Sequence, residues 1–308
     1  MKPTFLLRRA LLPLCLLCAV TFAACEDDDS TPDPTLDIGN DHENPRYTVM
    51  RLVSYNTYEG FRRSDKAYNY DHFIAWIRQQ DPDVVALQEL WGWSEGQLRT
   101  LAQRYGHSYV AINAKTDDNY HVAFTSKYPI EVVKLISDRV SHGAVHVRIR
   151  NIDFVTLHTW PMSTAPTSEH GSAYSPTATD GNSYRLEEIT RILDETIGKY
   201  SERKFWLLAG DFNAYSLLDA DAYSGNPDYA VHRAVLGRGY YDAQRELHDY
   251  FISTLLSETK RLDFIYVSKS VLADVVRAEV IRDDYTSDPA IASDHYPCLV
   301  EFRRYLDE

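Results

Sequence analysis

The chain has 308 residues and a formal net charge of −13 at pH 7. That length suits one large domain or two ordinary ones. An acidic chain gains no electrostatic steering toward polyanions, and no Lys/Arg-rich run marks a nucleic-acid patch, so a dedicated nucleic-acid-binding module is disfavoured. Beyond residue 25 the single cysteine is Cys298, which excludes an intrachain disulfide framework for the body of the chain. Cys298 sits in the apolar pattern Tyr296–Phe302 with no basic flank to stabilise a thiolate, so it reads as a buried structural thiol.

The N-terminus reads as a targeting segment. Lys2, Arg8 and Arg9 precede an apolar run from Ala10 to Ala24, broken only by Pro13 and Thr21 and too short to span a bilayer securely. It ends Phe22-Ala23-Ala24-Cys25 and turns abruptly to Glu26-Asp27-Asp28-Asp29. This resembles a bacterial lipoprotein signal. The resemblance implies removal of residues 1–24, lipidation at Cys25, and a membrane-anchored protein of the cell envelope, periplasmic or at the cell surface. Phe22 stands where that signal usually has Leu, which leaves ordinary signal cleavage as the alternative, and export follows either way. Residues 26–45 hold eight acids, three prolines and no Lys or Arg, so 25–45 reads as an acidic, solvated tether.

From residue 46 to 308 the pattern is that of one domain, with no linker and no internal repeat. Tyr47–Asn56 is β-rich and ends in a carboxamide. Tyr70–Gln80 has helical spacing and is stopped by Asp81-Pro82. Asp83–Leu87 is a short apolar strand followed by Gln88-Glu89. Gln97–Tyr105 reads as a helix. His121–Thr125, Ile130–Leu135, Ala144–Arg150 and Ile152–Leu157 read as strands, the last followed by His158. Pro161–Ser183 is rich in Ser, Thr, Pro and Gly, lacks periodicity, and is too long for an ordinary connection; it is a functional loop or disordered. Arg185–Ile197 reads as an amphipathic helix. Phe205–Gly210 is an unalternating apolar run, as expected of a strand buried on both faces. Leu217–Tyr250 is mixed, Arg261–Val267 is a strand with Asp263 inside it, Val271–Ile281 is ambiguous between strand and helix, and Ser293-Asp294-His295-Tyr296-Pro297 leads into the last strand.

The polar residues stopping these runs form a pattern: Asn56, Glu89, His158, Asp211 with Asn213, and Asp294 with His295. In layered α/β folds ligand sites collect at strand ends. Oxygen-bearing side chains on rigid strand ends suit a hard cation, Mg²⁺ or Mn²⁺, with Glu89 and Asp294 as ligands and Asp211 near. No Cys/His cluster with zinc spacing competes. His295 is placed as a general base, and Asp263 is the natural carboxylate to orient it. The remaining histidines read as structural or exposed.

Six segments together carry a resemblance to a known superfamily: SYNTYEG (54–60), PDVVALQEL (82–90), LHTW (157–160), GDFNA (210–214), RLDFIYVS (261–268) and SDHYP (293–297). In order and spacing they resemble the endonuclease/exonuclease/phosphatase superfamily, over nearly all of 46–308. That resemblance implies an α/β fold, a four-layer sandwich of two mixed β-sheets packed face to face with outer helices. It implies Asn56 and Glu89 at the metal, Glu89 being the principal ligand, with Asp294 nearby. Asp211 and Asn213 would orient the attacking water and contact the phosphate. His295, supported by Asp263, would be the catalytic histidine, and His158 a phosphate ligand or acid for the leaving oxygen. The expected function is a Mg²⁺- or Mn²⁺-dependent phosphoesterase that hydrolyses a phosphodiester or phosphomonoester, on a small or lipid-derived substrate. It is expected to be a monomer whose contacts are its phosphoester substrate and, through its lipid anchor, the membrane. The alternatives are a secreted or surface nuclease acting on DNA or RNA, which the acidic charge disfavours, and a catalytically dead phosphate-binding module.

Overall fold

The structure, a computed structural model, describes residues 47–61 and 70–305. The signal-like segment, Cys25 and the acidic tether lie outside these residues. Among the described residues no helix is long and apolar enough to cross a membrane.

The alternation of side chains in each strand explains the layers. In β1 (Tyr47–Asn56), β2 (Val84–Trp91) and β8 (Trp206–Asp211), neighbours such as Leu52/Val53, Val84/Val85 and Leu207/Leu208 are all buried yet belong to different apolar clusters. A strand apolar on both faces is stable only where both faces are covered. One six-stranded sheet runs β11 (Val275–Val280), β12 (Cys298–Tyr305), β1, β2, β4 (Tyr120–Ser126), β3 (Tyr109–Asn113). The other runs β5 (Glu131–Ile136), β6 (Ala144–Ile149), β7 (Ile152–His158), β8, β10 (Asp263–Ser268), β9 (Tyr240–Asp242). Both are mixed, with β1–β2 and β7–β8 parallel and the other pairs antiparallel.

Between the sheets lie Met50, Leu52, Val84, Ala86 and Phe124 from one side and Val147, Phe154, Leu207, Ala209 and Ile265 from the other. The opposite face of the first sheet packs Val53, Val85 and Leu87 against Phe73 and Ile77 of α1 (Tyr70–Gln80) and Leu98 of α2 (Glu95–Arg104). The opposite face of the second packs Val155, Leu157 and Leu208 against Ile189 and Ile192 of α3 (Gly181–Leu193) and Val235 of α4 (Ala230–Gly237). The result is the expected four-layer α/β sandwich. Each such fully buried aliphatic or aromatic side chain contributes about 1.5–3 kcal/mol relative to its exposed state.

Three local readings are revised. α3 begins at Gly181, ahead of the expected Arg185, because Asp180 caps it by accepting from the Ser183 N–H at 2.7 Å. The 161–183 segment contains a 3-10 turn, Ser168–Ala173, tied down by Ser172 N–H to Asp117 Oδ2 at 2.7 Å. The ambiguous 271–281 stretch is both things, a short helix α5 (Lys269–Leu272) and then β11. Asp263 is the first residue of β10, and two residues before it the Arg261 side chain pairs with Asp219 and Asp242. The edge strand β3 had no clear signal, because it is short and pairs on one side only with β4.

Candidate active site

Three adjacent strands of the second sheet place three polar side chains in a row. His158, the last residue of β7, is the register partner of Asp211, the last of β8, and Asp211 pairs in turn with Asp263, the first of β10. The close approach of β7 and β8 needs Gly210. Its φ is +146°, and a Cβ there would lie 2.0 Å from the Leu157 carbonyl oxygen. Beyond the strand, Asp211 Oδ1 accepts the Asn213 N–H at 2.9 Å, an Asx turn that fixes the carboxylate.

The first sheet contributes from the facing edge. β1 and β2 run parallel with Asn56 opposite Gln88, so both end at the same place. Pairing of β2 with β4 shifts between Leu87 and Leu90, and Glu89 there has φ 60°. A bulge of this kind re-aims a side chain out of the strand alternation. Glu89 is thereby directed to the cluster, where Asn56 Nδ2 donates at 3.0 Å to Glu89 Oε1 and at 3.0 Å to Asp211 Oδ2. The chain after β1 makes a left-handed turn, Tyr58–Phe61, with φ between 46° and 69°. It turns the Glu59 N–H onto Glu89 Oε2 at 3.0 Å and the Tyr58 N–H onto Asn56 Oδ1 at 3.0 Å. Such positive-φ residues cost free energy and persist where surrounding contacts hold them.

His295 completes the cluster from the segment ahead of β12. Its Nδ1 lies 2.7 Å from Asp263 Oδ2, and its Nε2 lies 3.9 Å from Asp211 Oδ2. On the other side, His158 Nε2 is 3.7 Å from Asp211 Oδ2 and 3.9 Å from Glu89 Oε1. Asp211 therefore sits between two imidazoles and beside two other carboxylates.

This crowding sets the electrostatics. Burial, reinforced by the Asp263 charge, pushes the Asp211 carboxyl up to about 8. Burial lowers the His295 imidazole, but the Asp263 charge and hydrogen bond outweigh it and raise the group to about 10. His158 is held neutral, well below the usual histidine range, by burial and by the neighbouring His142 and His295.

Glu89, His158 and Asp211 each offer a ligand atom, all within 4.8 Å of one another, and Asp211, Asp263 and His295 do the same. Both ring nitrogens of His158 are buried without a hydrogen-bond partner among the described residues. A buried carboxyl, Asp211, whose ionised form burial disfavours, and an orphaned imidazole fit a bound cation, and the oxygen-rich set favours a hard one.

Comparison with known proteins agrees with the geometry. A family model described as the Endonuclease/Exonuclease/phosphatase family matches residues 53–295. The chain belongs to the endonuclease/exonuclease/phosphatase family. Among solved structures it is similar to an AP endonuclease from Archaeoglobus fulgidus (TM-score 0.63, 18% identity, 82% of this chain and 99% of that one). It is also similar to a 3'-5' exonuclease, NExo, from Neisseria meningitidis (TM-score 0.60, 16% identity, 82% and 99%). A third is an endonuclease/exonuclease/phosphatase family protein from Bacteroides thetaiotaomicron (TM-score 0.56, 18% identity, 85% and 100%). At these identities the likeness is one of fold. Comparison with curated protein sequences finds no match.

Of the residues singled out in the sequence of this family member, Asn56, Glu89, His158, Asp211, Asp263 and His295 converge. Asn56 meets the carboxylates through its amide nitrogen, so as placed it orients them and does not present its oxygen. The Asn213 side-chain amide donates to the Thr159 carbonyl at 3.0 Å. Asp294 stands outside both ligand groups; its Oδ1 accepts from Ser293 Oγ at 3.4 Å. One residue read as structural or exposed belongs here. The His142 ring stacks on His158 with centroids 4.4 Å apart and planes at 28°. It lies in the turn before β6, and the only sequence signal was a histidine beside Gly143, which is too common to act on.

Proposed function

We propose that this protein is a divalent-metal-dependent phosphoesterase that hydrolyses its substrate by in-line attack of water. The observation carrying this reading is that Asp211, between His158 and His295, joins one group of potential metal ligands to a second that contains a histidine–carboxylate pair. Glu89 and Asp211 would hold Mg²⁺ or Mn²⁺, with Asn56 keeping the two carboxylates in place. The cation would polarise a phosphoryl oxygen, and its charge would draw Asp211 and His295 down from their metal-free values.

The protein groups divide the remaining work. Asp263 fixes His295 with its Nδ1–H committed, leaving Nε2 to take the proton of the attacking water; the leaving oxygen, on the opposite side of the phosphorus, takes its proton from solvent. The water oxygen forms the new P–O bond as the bond to the leaving oxygen breaks. His158 is neutral, so it serves as a hydrogen-bond donor to a phosphoryl oxygen and not as a strong acid. No covalent intermediate on the protein is needed.

The acidic charge and the lipoprotein-like N-terminus favour a small or lipid-derived phosphoester at the cell envelope. The second reading is a nuclease, supported by the names of the structural relatives, an AP endonuclease and a 3'-5' exonuclease. A hydrolysis panel with Mg²⁺ or Mn²⁺ and EDTA controls separates them, using bis-p-nitrophenyl phosphate, plasmid DNA, sphingomyelin and an inositol phosphate. Lipid or small-ester turnover alone supports the first reading, and plasmid cleavage the second. No turnover with metal bound would favour a phosphate-binding module.

A further inference from the structure

His158 is unusual among the clustered side chains in what holds it. Asp211 is fixed by Asn56 and the Asn213 N–H, Glu89 by Asn56 and the Glu59 N–H, and His295 by Asp263. His158 has no hydrogen bond to either ring nitrogen among the described residues. A ring without hydrogen bonds is free to turn about its side-chain torsions unless packing prevents it. The His142 ring packs on it face to face, nearly parallel and 4.4 Å away.

His142 is itself held. It is 6% exposed, and its Nδ1 lies 3.0 Å from Asp118 Oδ2. The Tyr120 ring meets it edge-on at 5.1 Å and meets His158 at 6.4 Å. The backbones beneath both histidines are tied to one buried carboxylate. Glu188 Oε1 accepts from Ser141 N–H and Oγ–H, each at 2.6 Å, one residue before His142, and Oε2 accepts from the Trp160 N–H at 2.9 Å, two residues after His158. Asp117, next to Asp118, anchors the 161–183 loop through Ser172. The His142 ring on which His158 rests is thus tied to Asp118, and the backbones beneath both rings to Glu188.

We infer that His142, held by Asp118, is a positioning residue for His158, fixing the ring plane in which His158 meets the phosphoryl group. This rests on the phosphoesterase reading for its kinetic consequence but not for its structural one. A preorganised donor outperforms one that must be ordered during reaction, so the effect falls on turnover more than on substrate binding.

Two measurements test it. In the metal-free protein, imidazole ring NMR signals of His158 are assigned by comparison with His158→Ala. A single sharp set is expected in the native protein and in His142→Phe, which keeps a flat ring, and broadened or multiple signals in His142→Ala. Unchanged His158 signals in His142→Ala would overturn the proposal. In Mg²⁺-supported hydrolysis of bis-p-nitrophenyl phosphate, His142→Ala is expected to lower kcat about tenfold with KM little changed, and His142→Phe to recover most of that loss. In a His158→Ala background, adding His142→Ala should cost nothing further. A full-sized further loss there would mean that His142 acts independently of His158 and would overturn the assignment. Asp118→Ala, in which the ring loses its anchor but remains, should give an intermediate loss; native kcat in that variant would count against the role of Asp118. An inactive native protein would instead remove the functional reading, with the NMR comparison still deciding the structural one.

Discussion

Asp211 and His158 are register partners across the parallel β7–β8 pair, and their side chains come to 3.7 Å between Oδ2 and Nε2. The pairing puts an anionic group with its neighbouring carboxylates in a buried place, where its ionised form is disfavoured until a cation arrives. Asp211→Asn should therefore melt above the native protein in EDTA at neutral pH, by about 3 °C for each kcal/mol relieved, while losing about a thousandfold in kcat. Mg²⁺ should raise the melting temperature of the native protein, by binding the folded state alone, and have little effect on the variant. Thermal melts with and without Mg²⁺ check this, and an Asp211→Asn protein less stable in EDTA than the native one would contradict it.

His295 and Asp263 form the other half of the centre, at 2.7 Å. His295→Ala is expected to abolish hydrolysis, a loss of about 10²–10⁴-fold, with the far-ultraviolet circular dichroism unchanged. Asp263→Asn keeps the shape but cannot stabilise the imidazolium, so its kcat should also fall. Retained turnover in His295→Ala would exclude the assigned role.

Gly210 is a structural demand at the same edge. Its φ is +146°, and a methyl group added there would come within 2.0 Å of the Leu157 carbonyl oxygen, so Gly210→Ala must part β7 from β8. The expected cost is about 3 kcal/mol or more, read from the urea midpoint, and activity should fall in parallel as the His158–Asp211 register is disturbed.

Two histidines remote from the cluster each make stability depend on pH in the acid range. His107 bonds Thr125 Oγ1 and the Pro82 carbonyl, each at 2.8 Å, and His232 bonds the Tyr266 hydroxyl at 2.7 Å and the Ala214 carbonyl at 3.0 Å. Burial lowers each of them to about 4. The unfolded chain, titrating near 6.5, then binds more protons than the folded one between those values. Their contribution to stability is complete above about pH 6.5 and is lost as pH drops toward 4, by about 1.4 kcal/mol per pH unit for each histidine. Urea unfolding of the native protein and of His107→Gln between pH 7 and 5 should give stability slopes that differ by one histidine's share, about 1.4 kcal/mol per pH unit, whatever the offset in stability. An unchanged slope would show that His107 titrates alike in both states.

Much of this centre was legible because it is written locally. A buried strand announces itself by an unbroken apolar run, and the polar residue that stops it, Asn56, His158 or Asp211, is visible in the same few positions. Asp263 was legible as a partner for His295 only as a chemical expectation. The loop-like composition of 161–183 concealed the Asp180 cap, and β3 was hidden by its length.

The layered α/β class, the strand ends that carry polar groups, and the six ordered segments that mark the family are all readable along the chain. These follow from burial and side-chain alternation, which act over a few residues. Folding in three dimensions was needed to set Asp211 between His158 and His295, to turn Glu89 inward through a bulge, to leave Asp294 out of both ligand groups, and to stack His142 on His158. Those facts depend on strand register and on packing between the two sheets, where residues distant in the chain meet, and no local pattern specifies which side chains will share that space.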